Sequence, residues 1–135
     1  MSDNLKGSCL CGTIKYQLTE RPRSVANCHC NTCKKLTSGA FQTVALVREQ
    51  GFELIEGQDN LSTFEISGRA RKHFCRTCGT PIYNLNKNFP GWVLVPIGPF
   101  DNPAALSPTL NVYCESMLEW VRQIGELKSF DQGAS

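Results

Sequence analysis

Apolar and polar side chains alternate over short stretches of this 135-residue chain, and the pattern predicts a protein built mainly of β-strands. Residues 14–18 show it most clearly, because Ile14, Tyr16 and Leu18 alternate with polar neighbours, which predicts a half-buried strand. Similar short segments rich in Val, Ile, Thr, Phe and Tyr are bounded by Gly and Pro, and sustained 3.6-residue periodicity is nearly absent. The predicted strands are 13–19, 24–28, 40–47, 52–56, 62–66, 71–74, 82–85, 92–97 and 110–113.

Two short helices are predicted beside the strands. Residues 31–37 form a helical turn that carries Cys33, and residues 118–127 form a C-terminal helix in which Gly125 is an unfavourable residue. The chain has the length of one domain, with a core over about residues 5–122 and a flexible tail at 128–135. The predicted fold class is therefore a single, mainly β domain over 1–135, with at most one or two short helices.

Seven of the eight cysteines fall into three tight clusters, and Cys114 stands alone near the C-terminus. The clusters are Cys9 with Cys11, then Cys28, Cys30 and Cys33, then Cys75 with Cys78. Cysteines one or two residues apart are poor disulfide partners, but they are good joint ligands for a thiophilic ion, since thiolates about 2.3 Å from one zinc ion lie close together. The spacing therefore predicts metal sites.

Seven thiols divide into one four-ligand and one three-ligand zinc site. A structural zinc takes four protein ligands, whereas a catalytic zinc usually keeps three and leaves the fourth position to water or substrate. The middle run supplies three ligands from one turn, so we assign Cys28, Cys30 and Cys33 to an open, catalytic site. The two outer pairs each supply half a site, and together they make a closed structural site of Cys9, Cys11, Cys75 and Cys78.

Three alternatives stay open from the residues alone. The pairs and the run can be combined differently, the eight cysteines can form a disulfide framework, or the second site can be closed by His29, His73 or Cys114 as fourth ligand. The first six residues do not resemble an apolar signal segment, which counts against a secreted disulfide protein. We therefore expect a reducing compartment, the cytoplasm.

Charge and hydrophobicity argue against two classes of partner. Fourteen basic and twelve acidic residues give a formal net charge of +2, which is too small to draw the chain strongly to nucleic acid or to an anionic membrane. No apolar run approaches the roughly 18 residues that span a bilayer. We expect neither a nucleic-acid partner nor a membrane partner, and no oligomeric state is predicted.

The cysteine motifs, taken in order, resemble those of a known family. They are Gly7-Ser8-Cys9-Leu10-Cys11-Gly12, Cys28-His29-Cys30-x-x-Cys33 and Phe74-Cys75-x-x-Cys78-Gly79. Over about residues 7–120 the chain is similar to the glutathione-dependent formaldehyde-activating enzyme family, which includes centromere-protein-V-like proteins. The resemblance implies a β-tent zinc-binding fold with two zinc ions, one on the outer pairs and one on the middle run. It also implies carbon–sulfur lyase chemistry, the reversible joining of formaldehyde and glutathione into S-hydroxymethylglutathione.

The ligand chemistry of the open site suits a thiol. Three thiolates around one zinc give the site a net negative formal charge, so it is a weaker Lewis acid than the neutral-imidazole sites that activate water. A substrate thiol in the fourth position loses its proton and becomes a nucleophile toward an aldehyde. We expect the partner to be a small, glutathione-like thiol or its aldehyde adduct.

Two departures from the family pattern concern substrate recognition. Lys34 and Lys35 stand where family members often carry arginine, and Asn111 stands where they often carry histidine. Lysine keeps the charge but lacks the planar fork that grips a carboxylate, and we expect Lys34 and Lys35 to bind the carboxylate of a thiol substrate. The rival functions are a non-enzymatic two-zinc interaction module and a thiol redox or zinc-buffering protein.

Overall fold

The computed structural model describes residues 5–134, and the strands of this part form two sheets. A three-stranded sheet has the order β1-β2-β5, and a seven-stranded sheet has the order β10-β3-β4-β9-β8-β7-β6. The strands are β1 Lys6–Ser8, β2 Lys15–Leu18, β3 Ser24–Cys28, β4 Gln42–Arg48, β5 Phe52–Glu56, β6 Leu61–Ser67, β7 Ala70–Cys75, β8 Pro81–Asn86, β9 Trp92–Pro96 and β10 Leu110–Val112. The prediction of a mainly β fold is confirmed.

Each of the nine predicted strands coincides with an observed strand to within two residues at either end. The sequence does not predict β1, because Lys6, Gly7 and Ser8 show no apolar alternation of their own. This strand forms because it pairs with β2, with Gly7 opposite Tyr16. Cross-strand pairing therefore supplies a strand that local pattern leaves out.

Helical structure is short, as predicted. One α-helix, α1 (Asn31–Thr37), occurs within residues 5–134 and has the predicted bounds. The other helical segments of this part of the chain are 3-10 turns, at Glu49–Gly51, Gln58–Asn60, Pro103–Leu106, Cys114–Ser116 and Glu119–Glu126. None of these helices is long and apolar enough to cross a membrane.

The predicted C-terminal helix at 118–127 differs in type from what the structure shows. The chain forms 3-10 turns over Glu119–Glu126, and they are interrupted at Gln123, where φ is −119° and ψ is 17°. The apolar side chains of this segment are only partly packed against residues 5–134, since Trp120 is 52% exposed and Ile124 is 45% exposed. An α-helix this short depends on tertiary packing, and the packing of this segment is weak. In the predicted tail, residues 128–134 contain neither helix nor strand, and Ser135 lies outside the described residues, as do residues 1–4 of the predicted domain.

The core contains aromatic side chains of β2, β5 and the segment after β9. Tyr16 is fully buried, and its ring lies 5.6 Å from that of Phe52 and 5.3 Å from that of Phe100, edge-on to the latter. Ile14 and Leu18, the alternate positions of the same segment, are also buried, so the predicted alternation is confirmed. This packing fixes β2 and, through the pairing of Gly7 with Tyr16, fixes the chain that enters the first cysteine pair.

The C-terminal strand β10 lies beside β3 at one edge of the larger sheet. It pairs with β3 in parallel, with Val112 opposite Cys28, and the His29 N–H donates to the Val112 carbonyl over 3.0 Å. A chain segment more than 80 residues away in sequence therefore lies against the middle cysteine run.

Candidate metal centres

The first cluster joins the end of β1 to the end of β7, and it comprises Cys9, Cys11, Cys75 and Cys78. All four sulfur atoms lie within 4.8 Å of one another. Cys9 Sγ is 3.6 Å from Cys11 Sγ, and Cys11 Sγ is 3.8 Å from Cys75 Sγ. Four sulfurs bound about 2.3 Å from a tetrahedral zinc lie about 3.8 Å apart, so this donor set fits a closed zinc site.

Two similar backbone turns bring the cysteine pairs together. The Gly12 N–H donates to the Cys9 carbonyl over 3.0 Å, and the Gly79 N–H donates to the Cys75 carbonyl over 2.8 Å. Gly12 and Gly79 have φ values of 83° and 80°, a left-handed conformation that favours glycine. The glycine after each pair thus permits a tight turn.

Hydrogen-bond donors point at the two buried sulfur atoms of the first cluster. The Ile14 N–H donates to Cys9 Sγ over 3.2 Å, and Asn60 Nδ2 donates to Cys75 Sγ over 3.2 Å. Burial raises the pKa of Cys9, and the donated hydrogen bond from Ile14 opposes that effect. Such donors stabilise the thiolate form, which is the form that binds zinc.

The two more exposed thiols of this cluster are paired with threonine hydroxyls. The Thr80 hydroxyl lies 3.2 Å from Cys78 Sγ and lowers the pKa of Cys78 to about 5. The Thr13 hydroxyl lies 3.3 Å from Cys11 Sγ and lowers the pKa of Cys11. Both hydroxyls therefore favour the thiolate forms, which are the forms that bind a metal.

The second cluster lies where β3 meets α1. Cys28 is the last residue of β3, Cys30 precedes the helix, and Cys33 lies in its first turn. The three sulfurs lie within 4.8 Å of one another, with Cys28 Sγ 3.5 Å from Cys30 Sγ. Cys30 also caps the helix, because the Cys33 N–H donates to its Sγ over 3.3 Å. One short turn therefore presents three sulfurs to a common point.

Burial and mutual repulsion oppose ionisation of two of the three thiols of the second cluster, those of Cys28 and Cys33. Burial raises the pKa of Cys28, and burial together with the neighbouring Cys28 and Cys30 strongly raises the pKa of Cys33. Burial also raises the pKa of Cys30, but the Cys33 N–H and the Cys28 thiol outweigh it and lower the net value. A divalent cation bound among three thiols stabilises their ionised forms, so this donor set also fits zinc.

No fourth cysteine, histidine or carboxylate joins the second cluster within residues 5–134. His29, His73 and Cys114, the alternatives for a fourth ligand, belong to neither group of sulfurs. All eight cysteines are free thiols, so the disulfide framework is absent from the structure. The structure brings together the four and the three cysteines that the sequence groups together.

A network of polar side chains lies behind the second cluster. His29 is only 1% exposed, and its Nε2 donates to Asn111 Oδ1 on β10 over 3.0 Å. The same oxygen accepts from Asn27 Nδ2 over 3.2 Å, and the Thr43 hydroxyl donates to Asn27 Oδ1 over 2.6 Å. The network joins β3, β4 and β10 beside Cys28, so it holds the strand end that carries this cysteine.

Sequence reasoning missed Asn27 and Thr43 as supports of the site. They lie opposite each other in the pairing of β3 with β4, and Asn111 lies opposite Asn27 in β10. Asn27 and Thr43 are polar residues in β-strands, and that alone does not mark a support of the site. The pairing that brings them to the site is long-range, so the sequence pattern could not reveal it.

The two lysines after Cys33 have different surroundings. Lys34 is half-buried, and its Nζ donates to the Ser116 carbonyl over 2.5 Å and to Asn31 Oδ1 over 3.2 Å. Lys35 is exposed and makes no side-chain hydrogen bond within the described part of the chain. The Lys34 ammonium thus has two protein acceptors, whereas the Lys35 ammonium faces solvent.

A cleft of about 680 Å³ lies between the first cluster and the loop that follows α1. Its lining residues are Ser8, Cys9, Leu10, Thr37, Phe41, Gln42, Thr43, Thr80, Pro81, Pro96, Ile97, Gly98 and Pro99. The three cysteines of the second cluster are not among them. However, the Phe41 ring lies 5.2 Å from the ring of His29, which stands between two of those cysteines. The cleft is therefore adjacent to the loop that carries the second cluster.

Two curated proteins are similar to this chain in sequence. A protein of Halomonas elongata named "Putative glutathione-dependent formaldehyde-activating enzyme" is 22% identical over 135 residues, which cover 95% of this chain and 83% of that protein. A protein of Schizosaccharomyces pombe named as an uncharacterized lyase is 27% identical over 78 residues, which cover 58% of this chain and 55% of that protein.

A solved structure shares the fold. The crystal structure of a Rhodobacter sphaeroides protein aligns with a TM-score of 0.65 and 23% sequence identity. The alignment covers 80% of this chain and 100% of that chain. At this level of identity the likeness concerns the fold alone.

One family model matches most of the chain. Its description is "Glutathione-dependent formaldehyde-activating enzyme", and the match extends over residues 4–116. The matched region contains all seven clustered cysteines and ends at Ser116, whose carbonyl accepts the hydrogen bond from Lys34. The chain therefore belongs to the glutathione-dependent formaldehyde-activating enzyme family.

Proposed function

We propose that this protein is a zinc-dependent carbon–sulfur lyase that acts on a small, glutathione-like thiol and its aldehyde adduct. Its reaction is the formation or cleavage of an adduct such as S-hydroxymethylglutathione. The observation that carries the proposal is the second cluster, in which three thiols lie within 4.8 Å of one another without a fourth protein ligand in the described residues. Membership of the family supports the same class of reaction.

Two zinc ions fit the two donor sets, and their roles differ. Cys9, Cys11, Cys75 and Cys78 would hold a structural ion, and Cys28, Cys30 and Cys33 would hold a catalytic ion. Bound at the second cluster, zinc supplies a fourth coordination position that accepts a thiol and favours loss of the thiol's proton.

The reaction itself is an addition to a carbonyl group. The sulfur of the substrate attacks the aldehyde carbon, a carbon–sulfur bond forms, and the carbonyl π bond breaks. The proton that leaves the thiol is balanced by the proton that the new hydroxyl group gains. Cleavage is the reverse, and it releases the thiol and the aldehyde without an oxidant or a reductant.

The cleft between the first cluster and the loop that follows α1 has room for the body of a thiol substrate. Its volume of about 680 Å³ exceeds that of a tripeptide-sized ligand, and its walls carry both polar groups, such as Thr37 and Thr43, and the ring of Phe41. Phe41 also packs near His29, which links the cleft to the cysteine loop. We place the non-reacting part of the substrate here.

Lys35 is the better placed of the two lysines for binding a substrate carboxylate. Its ammonium is exposed, whereas that of Lys34 already donates to Ser116 and Asn31. An exposed ammonium contributes little binding energy, so we expect Lys35 to affect the KM for an anionic thiol more than kcat. We also place the enzyme in the cytoplasm, because eight free thiols are kept reduced there.

The proposal is tested by measuring the exchange between glutathione, formaldehyde and their adduct with exchange NMR spectroscopy. Wild-type protein with both metals bound should accelerate the exchange above its spontaneous rate. Cys33→Ser should abolish the acceleration and keep the fold, because it removes one ligand of the open site alone. Cys114→Ser is the matched control, since it makes the same chemical change outside both clusters and should keep full activity.

Either of two results would contradict the proposal. One is a metal-loaded wild-type protein that leaves the exchange rate unchanged for glutathione and for other small thiols. The other is a Cys33→Ser variant that turns over as fast as the Cys114→Ser control.

A further inference from the structure

Helix α1 carries Cys33, yet its own packing is weak. None of its seven residues is buried. A seven-residue helix has little intrinsic stability, and burial of an apolar face normally supplies the rest. The position of α1, and hence of Cys33 Sγ relative to the other two sulfurs, must therefore depend on other contacts.

Lys34 supplies one such contact, at the side of the helix that faces the C-terminal segment. Its Nζ donates to the Ser116 carbonyl over 2.5 Å, and the same Nζ donates to Asn31 Oδ1 over 3.2 Å. Ser116 belongs to the 3-10 turn Cys114–Ser116, which directly follows Tyr113 in a left-handed conformation with φ of 58°. The ammonium thus ties α1 to a fixed turn 82 residues away in sequence.

Lys72 supplies a second contact, at the C-terminal end of the helix. This residue lies on β7, and its Nζ donates to the Leu36 carbonyl over 3.2 Å. The last carbonyls of a helix lack partners within the helix, and a cation is favourable at this end. The ammonium lies 5.7 Å from the centre of the Phe74 ring, and burial lowers the pKa of Lys72. The Lys72 side chain therefore contacts the end of α1 and is partly removed from solvent.

We infer that Lys34 and Lys72 are positioning residues that hold α1 by two charge-assisted hydrogen bonds, and that they thereby set the metal affinity of the second cluster through Cys33. The inference rests on the metal site of the proposed function. It gives Lys34 a role that acts through the helix and needs no contact with substrate. Partners that orient a ligand commonly change metal affinity by about 10-fold to 100-fold when they are removed.

The test measures the metal affinity of each cluster separately, without substrate. Wild-type protein, Lys34→Met, Lys72→Met and Lys35→Met are loaded with cobalt, whose thiolate absorption reports each site, and are then titrated with a chelator. Lys35→Met is the matched control, because it removes the same charge from the same helix at a side chain that makes no hydrogen bond with residues 5–134. Lys34→Arg keeps both the charge and the donors.

We expect Lys34→Met and Lys72→Met to lower the metal affinity of the second cluster by about 10-fold and to leave the metal affinity of the first cluster unchanged. Lys35→Met should keep the wild-type affinity at both sites, and Lys34→Arg should restore most of the loss. The inference is overturned if both methionine variants bind the second metal as tightly as wild type. It is also overturned if Lys35→Met weakens binding equally, since charge alone would then explain the effect.

The same titration separates this inference from the proposed function. A wild-type protein that binds only one metal overturns both, because the second site would not exist. A wild-type protein that binds two metals, with a second-site affinity that no lysine variant changes, overturns the positioning role and leaves the proposed function in place.

Discussion

The two cysteine clusters have similar sulfur separations but opposite relations to the fold. The first cluster draws its ligands from chain segments 64 residues apart, and Cys9 and Cys75 are 2% and 0% exposed. The second cluster draws all three ligands from one run of six residues at the end of β3 and the start of α1. A metal at the first cluster would cross-link distant segments and so stabilise the fold, whereas a metal at the second cluster would cross-link only one local turn. The separation of the cysteines along the chain therefore agrees with the proposed division into a structural site and a reactive site.

The largest effect is expected when one ligand of the first cluster is removed. Cys78→Ser should prevent folding, because zinc at a four-cysteine site supplies about 10 kcal/mol or more of folding free energy. Cys78 is only half-buried, so the substitution tests metal binding more than core packing. Circular dichroism and solubility measure the outcome, with Cys114→Ser as the folded control. A Cys78→Ser protein with the wild-type melting temperature would show that the fold does not depend on metal binding at this cluster.

Metal removal should distinguish the clusters in a single experiment. As a chelator is added in steps, the second cluster should lose its metal first, since it has one ligand fewer and an open position. The fold should survive this first loss, and unfolding should accompany the second. Metal release followed by a colorimetric chelator, together with circular dichroism, tests the order. Loss of structure with the first metal would contradict the division of roles.

A smaller effect is expected at Gly7, which leads into the first cluster. A Cβ at this position would lie 2.6 Å from Cζ of the Tyr16 ring, and that ring is fully buried. Phe52 and Phe100 pack against the ring and limit its movement. Gly7→Ala should therefore destabilise the protein by about 1–3 kcal/mol in chemical denaturation. The matched variant Gly68→Ala, whose Cβ would meet open space, should change stability far less.

The smallest effects come from two amides, one beside each cluster. Asn60→Ala removes a donor to Cys75 Sγ and should lower the free energy of unfolding by about 1 kcal/mol. Asn111→Ala removes the acceptor of His29 and should weaken metal binding at the second cluster more than it lowers global stability. Both variants are measured by chemical denaturation and by metal titration. If the two variants changed stability and metal affinity equally, the proposed difference in role between the two clusters would be contradicted.

Local pattern predicts much of this fold because its strands are short segments rich in β-branched and aromatic residues, and β2 also shows clear period-two alternation. The cysteine clusters can also be predicted from the sequence, since each pair or run is local and its spacing is typical of zinc ligands. The sequence could not show which distant segments meet. The parallel pairing of β10 with β3 places Asn111 against His29, and the turn at Ser116 meets Lys34, but neither partner is marked by any local pattern. For the same reason the sequence indicates only that Lys34 follows Cys33. It does not show that the Lys34 ammonium reaches the Ser116 carbonyl.

The central claim is that one cluster is closed and the other is open to thiols, and cadmium NMR tests it most directly. Protein loaded with ¹¹³Cd should give two resonances of equal intensity, one from each cluster. Addition of glutathione should shift only one of them, and Cys33→Ser should remove that same resonance. A single resonance, or two resonances that both ignore glutathione, would contradict the account.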